Sequence, residues 1–271
     1  KFLLYCACSS AIRSLSRVTR NSLIGMVLCL LGLALAVQPA EANHLKVRTP
    51  YALDKGELEA GYWLDAFLNT PVTTSAGSFP RQHLLRHTAE LAYGITDRWW
   101  VEAYADFENP TQAGTGQLTL VRHRYETVYR FLDRQGFWPA AALYLEYKVP
   151  LRRFDHNDEV EWKLLLESRI KDFMIRLNPV WEREFNDASR VRFGYENGWY
   201  WFARPSVRWG VEGFGNFGPI GSFPTTNFQR HSWGPAVKFK FGKVGWDLGM
   251  QFGWTDRSDY AAFKSILDFE F

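Results

Sequence analysis

The chain has 271 residues, 46% hydrophobic, 17% aromatic and 23% charged, with a formal net charge of +3. That is enough apolar material for a large core in one or two domains, and it excludes a disordered tail. The mean hydropathy is −0.26, and the longest apolar run, residues 23–37, falls short of the roughly 20 residues a helix needs to span a bilayer. A helical membrane protein is therefore excluded.

At the start of the chain Arg13, Arg17 and Arg20 precede the apolar run Leu23 to Val37, which leads into Gln38-Pro39 and the small-x-small triplet Ala40-Glu41-Ala42. This order predicts a secretory signal peptide over 1–42, cleaved after Ala42. A core helix would need a polar face at helical spacing, and the run has none. Cys29 follows Leu28 rather than a small residue, which argues against a lipoprotein anchor. Without this segment 229 residues remain, with 28 basic and 28 acidic side chains. All three cysteines, Cys6, Cys8 and Cys29, leave with it, so the mature chain has no disulfide and no cysteine-based metal site or nucleophile. Residues 43–55 read as an N-terminal periplasmic segment and 56–271 as the folded domain.

From Gly56 onward apolar and polar residues alternate with period 2, the signature of strands whose successive side chains point to opposite faces. Leu58, Ala60, Tyr62, Leu64, Ala66 and Leu68 share one face against Glu57, Glu59 and Asp65. The alternation predicts twelve strands, at 57–68, 84–95, 99–108, 118–132, 140–149, 160–171, 173–185, 191–202, 206–213, 231–241, 246–254 and 260–271. Most have the length of roughly 9 to 11 residues that a tilted strand needs to cross a bilayer, beyond the roughly 5 to 6 of a soluble strand. Short connections rich in Asp, Gly and Pro alternate with generally longer ones, including 69–83 and 214–230. The fold class is all-β: a transmembrane antiparallel up-and-down barrel of about 12 strands, with short periplasmic turns and longer outer loops. The stretch 215–221 is glycine-rich without the Lys-Ser/Thr of a phosphate loop, and reads as a flexible outer loop.

Charge sorts by face. Within the twelve segments 32 charged residues fall on one face and only Arg183 on the other. The charged face lines the lumen, giving candidate solute contacts at Arg86, Glu90, Glu102, Asp106, Arg122, Arg124, Glu126, Arg130, Arg176, Glu182, Arg192 and Arg208. Trp99, Trp138, Trp201, Trp246 and Trp254 fall where strands meet connections, as in the aromatic girdles of membrane barrels. Pro179 and Pro235 interrupt strands, where a bulge or kink is expected, and Gly194, Gly198, Gly210 and Gly249 face the lumen.

The last strand ends Ile266-Leu267-Asp268-Phe269-Glu270-Phe271. It resembles the C-terminal strand of bacterial outer-membrane barrels, and the resemblance implies that Leu267, Phe269 and Phe271 are read by the barrel-assembly machinery. The hairpin Leu91 to Trp100 is similar to a turn common among poorly characterised proteobacterial outer-membrane barrels, including transporters assigned to aromatic-degradation operons. The implied setting is porin-like, in the outer membrane among lipid and lipopolysaccharide.

Catalytic and metal signals are weak. On the lipid-facing parity His87, His123, Ser168 and Asn197 do not converge, as a lipid hydrolase would require. The six histidines are scattered, and His83 and His87, four apart on a strand, lie roughly 13 Å from each other. No cofactor, metal, catalytic residue or nucleic-acid partner is expected. The reading is a channel for small polar or charged solutes, with a closed structural or adhesive barrel acting through its outer loops as the alternative, and a lipid-modifying enzyme behind both.

Overall fold

The computed structural model describes residues 47–68, 83–110, 117–151, 157–186 and 189–271. The segment read as a signal peptide, residues 1–42, and most of the 69–83 loop lie outside the described residues. The remainder is a closed antiparallel barrel of twelve strands: β1 (Leu58–Leu68), β2 (Leu84–Thr96), β3 (Trp99–Pro110), β4 (Thr119–Leu132), β5 (Ala140–Pro150), β6 (Glu159–Ile170), β7 (Phe173–Glu184), β8 (Arg192–Arg204), β9 (Val207–Pro219), β10 (Arg230–Phe241), β11 (Val244–Gly253) and β12 (Ala261–Glu270). Each strand pairs with its sequence neighbours, and β1 pairs with β12 to close the ring. Closure leaves no strand edge, the condition for backbone to stand in hydrocarbon.

Every predicted strand boundary lies within two residues of the observed one except the end of the ninth. β9 continues through Phe214-Gly-Asn-Phe-Gly-Pro, pairing Gly194 with Asn216 and Arg192 with Pro219 on one side and Arg230 with Asn216 on the other. This corrects the reading of 214–219 as loop. Glycines carry no side chain to show alternation, yet their backbone pairs normally. Here they are also required, since a Cβ on Gly215 would collide with His231 and the Tyr195 ring.

The prolines need no bulge. At Pro179 the β6–β7 ladder skips from Lys163–Val180 to Leu166–Leu177, and at Pro235 the β10–β11 ladder skips from Trp233–Phe252 to Ala236–Gly249, with the register unchanged in both. The other flank of each proline keeps its pairing. A strand residue donates to one neighbour only, so a missing N–H opens the ladder on one side. Register shifts occur instead at 94/96, 106/107, 130/132, 193/194 and 202/204.

The outward face is apolar and exposed, with Leu91, Tyr93, Leu143, Leu145, Leu177, Trp199, Trp209 and Val211 among its large side chains. Trp99, Trp138, Trp201 and Trp246 ring the short-turn end and Trp254 the long-loop end, all exposed. No helix among the described residues is long and apolar enough to cross a membrane, so the crossing elements are the strands. A closed barrel with this belt and these rings is an outer-membrane barrel, located in a bacterial outer membrane.

The inward face carries an arrangement that follows from register alone. Glu102 lies opposite Glu126, Glu126 opposite Glu146, Glu146 opposite Glu161 and Glu161 opposite Glu182. Five glutamates thus stand side by side across β3 to β7, and like charges directly opposed destabilise a sheet. Flanking cations offset the repulsion. Lys148 Nζ lies 2.8 Å from both Glu159 and Glu161 and 3.4 Å from Glu146; Lys163 reaches Glu161 at 2.9 Å and Glu196 at 2.8 Å; Arg192 reaches Glu182 at 2.8 Å. Replacing Lys148 by Met is expected to cost about 3 kcal/mol of stability in denaturant titrations of the micelle-bound barrel, whereas Lys148→Arg keeps most of it. That is the low end for breaking a buried pair, because Arg124, Lys163 and Arg192 each retain a contact with the same glutamates.

Candidate functional site: the barrel lumen

The lumen divides into two halves. Toward the long loops it holds a chamber of about 500 Å³, whose wall includes Arg122, Lys148, Arg192 and Arg230 together with Glu159, Glu161, Glu182, Glu184, Glu196 and Asp259. A second chamber of about 180 Å³ shares Arg122, Lys148, Glu161 and Glu196 with the first, and adds Arg86, Arg124, Lys163, Lys264, Asp65, Glu146, Trp63 and Tyr144. Arg48 also lines it.

Toward the short turns the lumen is packed. Trp100, Leu165, Met174, Arg176, Tyr200 and Lys238 are less than 2% exposed. Arg176 Nε donates to Glu167 at 2.8 Å, the Tyr200 hydroxyl donates to Glu212 at 2.8 Å, and Lys238 Nζ lies 3.3 Å from Asp247. Gly198 makes this possible, since any Cβ there would strike the Tyr200 phenol.

The residues before β1 complete the packing. The described part of the segment read as N-terminal and periplasmic lies inside the barrel: Val47, Arg48, Thr49 and Leu53 are 0–4% exposed. Leu53 packs into an apolar cluster with Ala92, Trp100, Val128, Ala142, Tyr144 and Leu165. Gly56 N–H donates to Gly94 O at 2.7 Å and Gly94 N–H to Glu57 O at 2.9 Å, fixing the point of entry. Thr49 Oγ1 donates to Glu167 at 2.9 Å, Asn178 Nδ2 donates to Arg48 O at 3.1 Å, and Arg134 N–H donates to the Tyr51 hydroxyl at 2.9 Å. The physical reason is charge and apolar area together, because the segment brings a cation to Glu102 and Glu126 and a leucine to the apolar cluster around Trp100.

Arg48 ends in a cage of carboxylates and aromatic rings. Its Nη2 donates to Glu126 Oε2 at 2.6 Å and to the Tyr104 hydroxyl at 2.5 Å, and its Nη1 lies 3.5 Å from Glu102. Its guanidinium carbon stands 5.3 Å from the Trp63 ring centroid, 5.7 Å from that of Tyr104 and 6.0 Å from that of Tyr144, within cation–π range. Around the Tyr104 hydroxyl gather three carboxylates: Glu102 in close contact, and Glu90 and Glu126 at 3.1 Å each. Trp63 Nε1 donates to Glu90 at 2.6 Å.

The twelve inward positions predicted from parity all face the interior, but they separate into groups. Arg86, Arg122 and Arg124 line the inner chamber, and Arg122, Glu182 and Arg192 the outer one. Glu90, Glu102 and Glu126 surround Arg48, while Asp106 is buried beneath Arg122 and Arg124 at 2.6 and 3.1 Å. Arg176 and Arg208 are buried in the packed half, and Arg130 sits at the short-turn mouth, 2.9 Å from Asp133 and over the Tyr51 ring. Lys148, Glu161, Lys163, Glu196 and Lys264 are lumen residues of the same parity left out of that set. Arg48 lies on no strand, so periodicity gave no signal for it.

Glu159, Glu161 and Glu182 place oxygens within 4.8 Å of one another, an arrangement that could hold a metal ion. Lys148 and Arg192 already supply cations there, Arg192 lying 3.0 Å from Glu159. On the lipid face His87 Nδ1 shares a hydrogen bond of 2.6 Å with the Tyr62 hydroxyl, and Ser168 donates to Phe137 O at 3.0 Å. His87, His123, Ser168 and Asn197 stand on four different strands, and no hydrogen bond joins any two of them among the described residues.

No protein-family model matches the chain, and no curated protein matches it in sequence. Among solved structures it is similar to the KdgM porin in complex with disordered oligogalacturonate, with a TM-score of 0.51 over 79% of this chain and 99% of that one at 9% identity. KdgM porin in a second structure gives the same score and coverage at 8% identity. The outer membrane protein Omp33 of Acinetobacter baumannii matches with a TM-score of 0.43 and 10% identity, over 80% of this chain and 99% of its own. At these identities the similarity to KdgM shows the fold alone, a closed antiparallel outer-membrane-type β-barrel.

Proposed function

We propose that the protein is a passive outer-membrane channel for small charged solutes, held shut at its periplasmic half by its own N-terminal segment. The observation that carries this reading is the pair of charged chambers running inward from the long-loop end and stopping on Arg48. Water-accessible ionic side chains facing each other across a narrow lumen replace part of a solute's hydration and orient it, which is how selectivity arises in such pores. What separates the chambers from the short-turn mouth is partly a peptide held by side-chain contacts, and such contacts exchange more readily than a sheet unfolds. Aromatic and aliphatic side chains of the outward face seat the barrel in outer-membrane lipid, with lipopolysaccharide at the long-loop end. No cofactor, catalytic group or nucleic acid enters this reading.

A closed barrel acting through its outer loops is the second reading, favoured by the tight packing of Trp100, Arg176, Tyr200 and Lys238. Planar-bilayer recording separates the two. The parent chain is expected to open rarely. The double variant Arg48→Ala/Thr49→Ala should open at least about tenfold more often, since each 1.4 kcal/mol of lost hold is a factor of ten. Silence of that variant across salts and solutes would remove the channel reading and leave the closed barrel.

Leu267 and Phe269 of β12, with Phe271 directly after it, are proposed as the contact for the assembly machinery; Phe269 and Phe271 are exposed. Phe271→Ser should lower the amount of folded barrel recovered from cells several-fold, while the purified variant refolds into detergent like the parent. Equal loss in both measurements would make the residue a stability element instead.

A further inference from the structure

We infer that the cage around Arg48 is a binding site for a small solute bearing a guanidinium group, and that such a solute opens the barrel by taking the place of Arg48. This rests on the channel reading and names its solute class.

Three observations converge. First, the cage already holds a guanidinium. Three aromatic rings lie within 6.0 Å of its carbon, and Glu126 and Tyr104 receive the same nitrogen at 2.6 and 2.5 Å. A planar, weakly hydrated cation suits a site built of aromatic rings and carboxylates better than a compact ammonium does. Second, electrostatics restrict what can displace it. Arg48 stands among Glu90, Glu102 and Glu126, three carboxylates gathered within 3.1 Å of one hydroxyl. Withdrawing the segment without a substitute cation leaves them buried and unbalanced, a state strongly disfavoured. Glu126 also keeps its Oε1 buried with no hydrogen-bond partner, an acceptor in the cage that the single arginine does not use. Third, there is a route. The glutamate row starts at Glu182 in the outer chamber, passes Glu161 and Glu146 in the wall of the inner one, and ends at Glu126 and Glu102 in the cage. A cation entering from outside meets a carboxylate on each successive strand.

The exchange breaks no covalent bond and transfers no proton, because a guanidinium stays charged throughout the physiological range. It also leaves the charge in the cage unchanged, one cation replacing another. The remaining ties of the segment, Thr49 to Glu167 and Asn178 to Arg48 O, lie on the peptide side of the cage and would have to yield afterwards.

The test uses Val47→Cys in the detergent-solubilised barrel, with the parent chain, which carries no cysteine after residue 42, as the labelling background. Val47 is 1% exposed, so a maleimide reaches the new thiol only when the segment leaves the lumen. Methylguanidinium is expected to raise the labelling rate about tenfold once its concentration exceeds its dissociation constant about tenfold, with sodium chloride at equal ionic strength having no effect and methylammonium a smaller one. In a Glu102→Gln/Glu126→Gln background labelling should be fast without the probe and indifferent to it. Should that background fail to fold, Tyr144→Leu takes its place and should weaken the response to methylguanidinium. A rate that methylguanidinium changes no more than sodium chloride or methylammonium does would overturn the inference, as would a full response in the cage variants. Labelling requires no flow through the barrel, so this outcome and the bilayer recordings can fail independently.

Discussion

Five glutamates standing directly opposite one another across β3 to β7 are the constraint around which the interior is organised. Each adjacent pair repels, and in a lumen walled by low-dielectric protein the repulsion is not screened as it is in bulk water. Along most of the row the strands supply the remedy themselves, through Arg124, Lys148, Lys163 and Arg192. At the inner end they do not. Arg124 is turned toward Asp106 and Glu146, Lys163 is paired with Glu161 and Glu196, and the other nearby inward positions hold Trp100, Tyr104, Val128 and Tyr144. Glu102 and Glu126 therefore take their cation from outside the sheet, from Arg48. The place of the N-terminal segment inside the barrel follows from this deficit.

The same imbalance separates the two halves of the lumen. Where strands provide both signs of charge in excess of what packs together, the side chains line open chambers. Where the inward faces hold Trp100, Leu165, Met174 and Tyr200, the space is filled, and Leu53 of the segment closes the apolar surface that remains. A barrel wall held by continuous backbone pairing is a poor candidate for movement, whereas a segment tied by a few side chains is a good one. The part of the chain outside the sheet is therefore the part best placed to move.

Much of this was legible in the residues. Alternation located the strands because a sheet between lipid and a charged interior must present opposite chemistry at successive positions, and Leu143, Tyr144, Leu145 and Glu146 show it plainly. It failed at Phe214 to Pro219, where glycines hide the pattern while the backbone goes on pairing, and at Pro179 and Pro235, where one open flank sufficed without a bulge. Facing was legible for the lumen candidates, but not partnership: Arg122 and Arg176 share a parity, yet one lines open space and the other is wholly buried.

What the sequence determined by itself is the wall: an even set of membrane-length strands, charge on the inner face, aromatic side chains at the rims and a closed apolar outside. These depend on chemistry that repeats every second residue and can be read locally. The tertiary structure alone decided which glutamates meet, which cations answer them and that Arg48 enters the lumen. Those outcomes depend on the register between strands and on a contact between residues 48 and 126, which no local period encodes.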